Sequence, residues 1–266
     1  HSWAPDVYEG APTPVTAFMA TAVKAAAFAG FVKLFFTAAG SGWEDWGHIM
    51  IILAVLTMVV GNVLALPQRN LKRMLAYSSI AHAGYLTLGI IAAGKSGETL
   101  GISAILFYLT AYALMNLGAF GVLIWIRSRR SYDYSLDGLA GLGRSMPWTA
   151  ILMALFMISL TGIPPTVGFW GKFYLFTAVV QADLTWLAII AVIMSAVSAY
   201  YYLRVVWYLY FREAPEGVEV EHESRSSQAG VITGVTVAAL GVALVGLFPG
   251  PLLEAAQGAL KLLIGG

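Results

Sequence analysis

Three ionisable side chains stand inside otherwise apolar stretches, and any chemistry this chain performs starts with them. Lys24 lies in the run Ala20-Thr21-Ala22-Val23-Lys24-Ala25-Ala26-Ala27, ten residues after Pro14, which is about 15 Å along a helix. Lys172 follows Thr161-Gly162-Ile163-Pro164-Pro165-Thr166-Val167-Gly168-Phe169 by only a few residues. His82 sits in Ser78-Ser79-Ile80-Ala81-His82-Ala83-Gly84-Tyr85. A lysine at the centre of a bilayer costs about 2.5–3.5 kcal/mol on insertion scales, so each lysine asks for a reason. Desolvation favours the neutral form of an amine, so a buried lysine is suited to alternate between charged and neutral states and to pass a proton. The plainer readings are a lysine bonded to backbone carbonyls as packing glue, a prolyl kink with a satisfied cation, and a structural histidine. His82 suits either role, because imidazole titrates near neutrality. Lys72, Ser79 and His82 share a helical spacing that would serve as an entry path, although Lys72 and Arg73 read first as a polar rim.

The elements that must hold these groups are membrane helices. The chain has 266 residues, 59% apolar and 11% charged, where soluble domains run at roughly 45–50% and about 25%. The mean hydropathy of +0.77 agrees. Seven stretches qualify as spans of about 20 apolar residues: 14–38, 48–66, 73–93, 100–126, 148–180, 185–210 and 229–248. The fifth is too long for one straight crossing. Its Pro-Pro pair removes two backbone donors, so a break between Leu160 and Gly168 is expected, with Thr161 and Thr166 placed to satisfy the freed groups. Broken helices recur in ion transporters. The segment Pro251 to Ile264 is too short to span and reads as an interfacial helix. Tyr200, Tyr201, Tyr202 and Arg204, like Trp43 and Trp46, read as an interfacial aromatic belt with a snorkelling arginine.

Loop charge gives an orientation. Arg69, Lys72, Arg73, Arg127, Arg129, Arg130, Arg144, Arg212 and Arg225 fall on one side, against Lys33, Lys95 and Lys261 on the other. By the positive-inside rule the first side is cytoplasmic. A formal net charge of +1 gives no basic face for nucleic acid. The absence of cysteine excludes thiolate metal sites and Cys-bound iron–sulfur clusters. No nucleotide-binding or zinc-protease motif occurs, and the four histidines, at 1, 48, 82 and 222, make no metal or haem spacing. No signal peptide is expected. The opening at His1, inside a motif, reads as part of a longer polypeptide.

That opening, His1-Ser2-Trp3-Ala4-Pro5-Asp6-Val7-Tyr8-Glu9-Gly10-Ala11-Pro12-Thr13-Pro14-Val15, resembles a signature of the proton-pumping, antiporter-like membrane subunits of respiratory complex I. Three further stretches agree in order: Asn70-Leu71-Lys72-Arg73-Met74-Leu75-Ala76-Tyr77-Ser78-Ser79-Ile80, then Ala81-His82-Ala83-Gly84-Tyr85, then Gly162-Ile163-Pro164-Pro165 to Gly171-Lys172-Phe173. Among the branches, the wording Pro5 to Pro12 and the lysine at 172 look most like subunit N of NADH–quinone oxidoreductase. The resemblance implies an all-α, polytopic bundle with a discontinuous helix, and covers only the second half of a family member. Residues 1–13 would be an entry segment, the tail of a preceding broken helix. Residues 14–180 would form a five-helix repeat with its break near 162–168, and 181–266 the C-terminal and interfacial helices. It further implies proton translocation, with Lys24 as the central lysine, Lys172 as the terminal one and His82 between them. His1, Lys72, Pro164 and Pro165 would support them, and the family's glutamate–lysine pair would lie upstream of His1.

The resemblance also implies that NAD, FMN, iron–sulfur clusters and quinone are bound by other subunits and that this chain carries no cofactor or metal of its own. Its partners would be the other complex I membrane subunits, including a neighbouring antiporter-like one, within the bacterial cytoplasmic (inner) membrane. A Mrp-type cation/proton antiporter subunit, which shares the fold, is the rival, and inhibitor-insensitive Na⁺/H⁺ exchange discriminates it. A structural spacer that transports nothing is the third reading, and two buried lysines beside a mid-membrane break count against it. The topology makes the first prediction. Single cysteines at Ser131 and Ser96 should react with an impermeant thiol reagent from opposite sides of the membrane. Labelling of both from one side would sink the seven-span arrangement.

Overall fold

A computed structural model describes residues 1–35, 42–129, 134–214 and 229–264. Arg130, Ser131, His222 and Arg225, and the side chains of Arg129 and Lys261, fall outside that description. The described chain is helical: α1 (Ala4–Gly10), α2 (Thr13–Phe18), a π-helical segment (Met19–Val23), α3 (Lys24–Lys33), α4 (Trp43–Ala65), α5 (Leu71–Ser96) and α6 (Leu100–Arg129) come first. A 3₁₀ turn (Asp137–Leu139), α7 (Leu142–Ser145), α8 (Pro147–Thr161), α9 (Val167–Gln181), α10 (Thr185–Phe211), α11 (Ala229–Leu247) and α12 (Gly250–Ile264) follow. No strand occurs among the described residues, where an isolated antiparallel bridge joins Asn70 to Ser135.

Among the described residues six helical stretches are long and apolar enough to cross a membrane: Thr13–Lys33, Trp43–Ala65, Leu71–Ser96, Leu100–Ser128, Thr185–Phe211 and Ala229–Leu247. The expected fifth span is two helices of 15 residues, α8 and α9. Each is about 22 Å long and falls short of a hydrocarbon core of about 30 Å. The break runs through residues 162–166, inside the expected interval. Gly162 ends α8 at φ +90°, a left-handed conformation that only glycine adopts without strain.

α5 and α6 form the centre of the bundle, with 83% and 67% of their span windows buried against 33% or less for the other four. α4, α6 and α9 pack on α5, while α2, α8, α9, α11 and α12 pack on α6. α5 starts cleanly because Asn70 caps it, its side chain accepting from Arg73 N. The helix therefore begins at Leu71, two residues before the expected boundary. α4 and α5 approach closely at Gly61, where an added Cβ would lie 2.5 Å from Ala81 N and 2.9 Å from Tyr77 O.

The stretch after α6 is more than a polar loop. Leu136, Leu139 and Leu142 are buried, and Leu136 N donates to Arg69 O at 2.9 Å while Leu71 N donates to Tyr134 O at 2.7 Å. These bonds bring the turn before α5 and the end of α6 to the same end of the bundle. Lys72 of one segment and Arg127 of the other meet there over the Tyr134 ring.

Two expectations need correction. The aromatic belt reading fails for Tyr201 and Tyr202, which are fully buried, and holds for Tyr200, which is 61% exposed. A run of three tyrosines on a helix points in three directions, so one phenol faces out while its neighbours face the core. Trp43 and Trp46 are half-buried, with the Trp46 ring seated over Gly94 and tilted against Phe35 at 4.7 Å. Arg204 does not snorkel to water: its guanidinium donates to Leu66 O at 2.8 Å and Gln68 O at 2.6 Å, tying α10 to the α4–α5 turn.

The close α4–α5 contact predicts the cost of one methyl group. Gly61→Ala should destabilise the protein by about 1–3 kcal/mol through overpacking against backbone. Gly30→Ala, with nothing within 4 Å of the new Cβ, should leave thermal unfolding in detergent unchanged. Equal melting temperatures for the two variants would show that the helices can separate freely.

Candidate functional site

Lys24 enters the bundle through an irregularity the sequence did not announce. The five residues before it form a π-helical turn, in which Thr21 Oγ1 bonds back to Ala17 O at 2.8 Å. A π turn holds an extra residue and so shifts the face presented by everything after it. The result is that half-buried Lys24 reaches inward to α5 and α6. Its Nζ donates to Ser79 O at 2.5 Å, Ser79 Oγ at 2.6 Å and Tyr112 OH at 3.2 Å, and lies 4.4 Å from the centre of the Tyr112 ring.

Lys172 fills the second irregularity. Rising from the first turns of α9, it is 5% exposed, and its Nζ donates to Thr161 O at 2.7 Å, Leu160 O at 3.2 Å and Ser195 Oγ at 2.8 Å. Two of these acceptors are carbonyls that α8 leaves unpaired where it stops, and a cation is the favoured partner at a helix C-terminus. The threonines do not meet the freed carbonyls as expected: Thr161 Oγ1 bonds Met157 O and Thr166 Oγ1 bonds Ile163 O, and the open carbonyls go to Lys172 instead.

His82 lies between the lysines and is 1% exposed. Its Nδ1 is 2.6 Å from Tyr108 OH and its Nε2 3.0 Å from Tyr202 OH. A neutral imidazole has one donor and one acceptor nitrogen, and a hydroxyl can answer either. Tyr202 OH also bonds Ser78 Oγ. Aromatic rings continue the row on both sides. The Tyr112 ring is 4.9 Å from the His82 ring and also faces Lys24; the Tyr85 ring is 5.9 Å from it and 5.4 Å from Lys172 Nζ. Asn62 fixes Tyr85, donating to its hydroxyl at 3.2 Å and accepting from Tyr201 OH at 2.9 Å. Along this row the groups are amines, imidazole and hydroxyls, all of which can both give and take a proton or bond a water that does.

The structure thus brings Lys24, His82 and Lys172 into one buried row and leaves other expected residues apart. Lys72 is 2% exposed, so the rim reading fails. Its Nζ donates to Ala11 O at 2.6 Å and Glu9 O at 3.0 Å, sealing the turn between α1 and α2. The supposed ladder does not form along α5, because Ser79 bonds Lys24 while Lys72 turns to α1. His1 precedes α1, is exposed, and has Nε2 3.2 Å from Thr57 Oγ1. Pro164 and Pro165 occupy the break itself. Arg73, on the polar edge, is held by Asp6 at 2.7 Å and Glu9 at 2.9 Å.

Tyr85, Tyr108, Tyr112, Ser195 and Asn62 were missed as site residues. A signal existed for some of them: Tyr108 and Tyr112 are four apart on one face of α6, and Tyr85 lies three beyond His82. Ser195 carries no local signal, since only the packing of α10 brings it to Lys172. Among the described residues no group of three or more His, Asp or Glu side chains is placed to hold a metal ion. Burial gives the tyrosines a measurable weight. Tyr202→Phe strips partners from both His82 and Ser78 and should lower stability by about 1–3 kcal/mol. Tyr200→Phe, at an exposed position, should be neutral in the same thermal melt.

A family model described as NADH:quinone oxidoreductase/Mrp antiporter, TM, matches residues 1–198. NADH-quinone oxidoreductase subunit N of Trichlorobacter lovleyi is 49% identical over 263 residues, covering 99% of this chain and 52% of that protein. The chain thus spans about half the length of the curated relatives it matches. Among solved structures, a chain of respiratory complex I from Thermus thermophilus with bound aureothin superposes with TM-score 0.78 at 38% identity, over 96% of this chain and 54% of that one. A chain of the Mrp complex from Dietzia sp. superposes with TM-score 0.83 at 20% identity, over 99% and 56%, a likeness of fold.

Proposed function

The chain belongs to the NADH:quinone oxidoreductase/Mrp antiporter family of membrane proteins, and from that premise we propose that it moves protons across the bacterial cytoplasmic membrane as part of subunit N of a complex I. Residues 14–180 then act as the proton-handling five-helix unit, 1–13 as the end of a preceding broken helix, and 181–266 as the helices that close and flank it. Lys24 and Lys172 alternate between charged and neutral forms. His82, its two tyrosine hydroxyls and intervening water carry the proton from one to the other. Lys72 holds the α1–α2 turn at the basic end, where protons enter, and His1 belongs to the same supporting shell. Pro164 and Pro165 keep the break open so that Lys172 is free to use the carbonyls of α8.

One observation carries this reading. Among the described residues both lysines are met by neutral acceptors, carbonyls and hydroxyls, with no carboxylate among their bonded partners. An amine so placed can lose its proton without stranding a buried counter-charge. NADH oxidation, flavin and iron–sulfur chemistry, and quinone reduction are assigned to other subunits. They reach this chain through a neighbouring antiporter-like subunit that shifts the charge balance along the row. The Mrp-type alternative draws on the shared fold, but the subunit N relatives are far closer in sequence.

The test substitutes each lysine by Arg and by Ala in the assembled complex. Arginine keeps the charge but does not deprotonate, whereas alanine removes the site. Proton uptake and quinone reduction, measured side by side, should both fall at least about tenfold in all four variants, the loss expected when a proton-transfer group is removed. Lys24→Arg and Lys172→Arg pumping at the wild-type rate with intact assembly would falsify the relay.

A further inference from the structure

The basic end of the bundle holds a cavity of about 560 Å³ between the α1–α2 turn, the start of α5 and the end of α6. Its walls include Glu9, Pro12, Lys72, Ile124, Arg127 and Tyr134. Two cations meet one aromatic ring there, Lys72 Nζ at 4.8 Å and Arg127 Cζ at 5.2 Å from the centre of the Tyr134 ring. The like charges of buried Lys72 and exposed Arg127 repel one another. Neither cation forms an ion pair among the described residues, because the nearby acids Asp6 and Glu9 are both taken by Arg73. Lys72 spends two of its three N–H groups on Glu9 O and Ala11 O. Arg127 gives one of its five to Tyr134 OH at 2.6 Å, which leaves donors on both side chains for a ligand in the cavity.

We propose that this cavity binds a phosphate group, the phosphodiester of an anionic lipid headgroup or a free phosphate, between Lys72 and Arg127. A phosphate supplies the negative charge the pair lacks and matches the planar fork of the guanidinium, which bonds two oxygens at once. The volume lies in the range of small-molecule sites. Pro12, Pro14 and Ile124 line the same cavity and give the glycerol end of a lipid an apolar wall. Basic pockets between helices on the cytoplasmic side of membranes are where anionic headgroups collect. Arg127 touches none of the groups in the Lys24–His82–Lys172 row, so its substitution probes the cavity without altering that row.

The experiment uses the full chain in nanodiscs of phosphatidylcholine with a minority of phosphatidylglycerol, followed by native mass spectrometry of the lipids retained on release. The protein should keep phosphatidylglycerol in preference to phosphatidylcholine. Arg127→Gln should weaken that retention about tenfold, the loss expected for one charge-assisted hydrogen-bonding group. Arg127→Lys should keep most of it, and Arg212→Gln, at a basic residue outside the cavity, should match wild type. Ser128→Asp, which brings a carboxylate to the same wall, should give the same loss and keeps the test open if Arg127→Gln does not accumulate. Added inorganic phosphate separates the sources: displacement of the lipid identifies free phosphate as a competent occupant, and no displacement identifies the headgroup. Equal retention of the two lipids, or wild-type retention in both Arg127→Gln and Ser128→Asp, overturns the proposal.

Discussion

A helix that stops inside a membrane leaves carbonyls with no partner, and lipid supplies none. This constraint organises the molecule. α8 ends at Gly162 with Leu160 O and Thr161 O open, and the ammonium of Lys172 closes them. At the basic end of the bundle the ammonium of Lys72 likewise bonds Glu9 O and Ala11 O, at the turn between α1 and α2. At the α8 break the cation satisfies the open carbonyls and the carbonyls satisfy the cation, because a buried ammonium without acceptors is costly. Break and lysine stabilise one another as a unit.

The centre of the bundle answers the same constraint with hydroxyls. α5 and α6 are buried on nearly all sides, so the polar side chains they carry must find partners within the protein. Ser78, Ser79 and His82 of α5 meet Tyr112 and Tyr108 of α6 and Tyr202 of α10, either directly or through Lys24. Close packing makes these meetings possible, since Gly61 lets α4 lie against α5 at backbone distance. A network of this kind is rigid while every member is satisfied.

The two ends differ in electrostatic character. At one end, arginines tie loops to helices: Arg73 to α1 through Asp6 and Glu9, Arg204 to the α4–α5 turn, Arg127 to Tyr134. At the other, Phe35, Trp43 and Trp46 pack ring against ring beside Gly94. One end is thus pinned by charge and the other by aromatic surface, a polarity that suits a protein read as lying across a membrane with a fixed orientation.

Sequence alone determined the membrane class, six of the seven expected spans, the position of the break and the lysines and histidine set among apolar residues. Each of these follows from a local count: apolar length, consecutive prolines, a charge where none belongs. The family was legible too, since its motifs are contiguous words such as Pro5 to Pro12. Tertiary structure alone decided which hydroxyls meet which cation. Tyr202 and Tyr200 are the same residue type two positions apart, and only the placement of α10 against α5 makes one a partner of His82 and leaves the other exposed. Lys72 stands among rim residues in the chain, yet the fold of α1 over the start of α5 buries it. The π turn before Lys24 leaves no mark in composition. A side chain's type is local information, whereas its partner is set by which helix lies opposite.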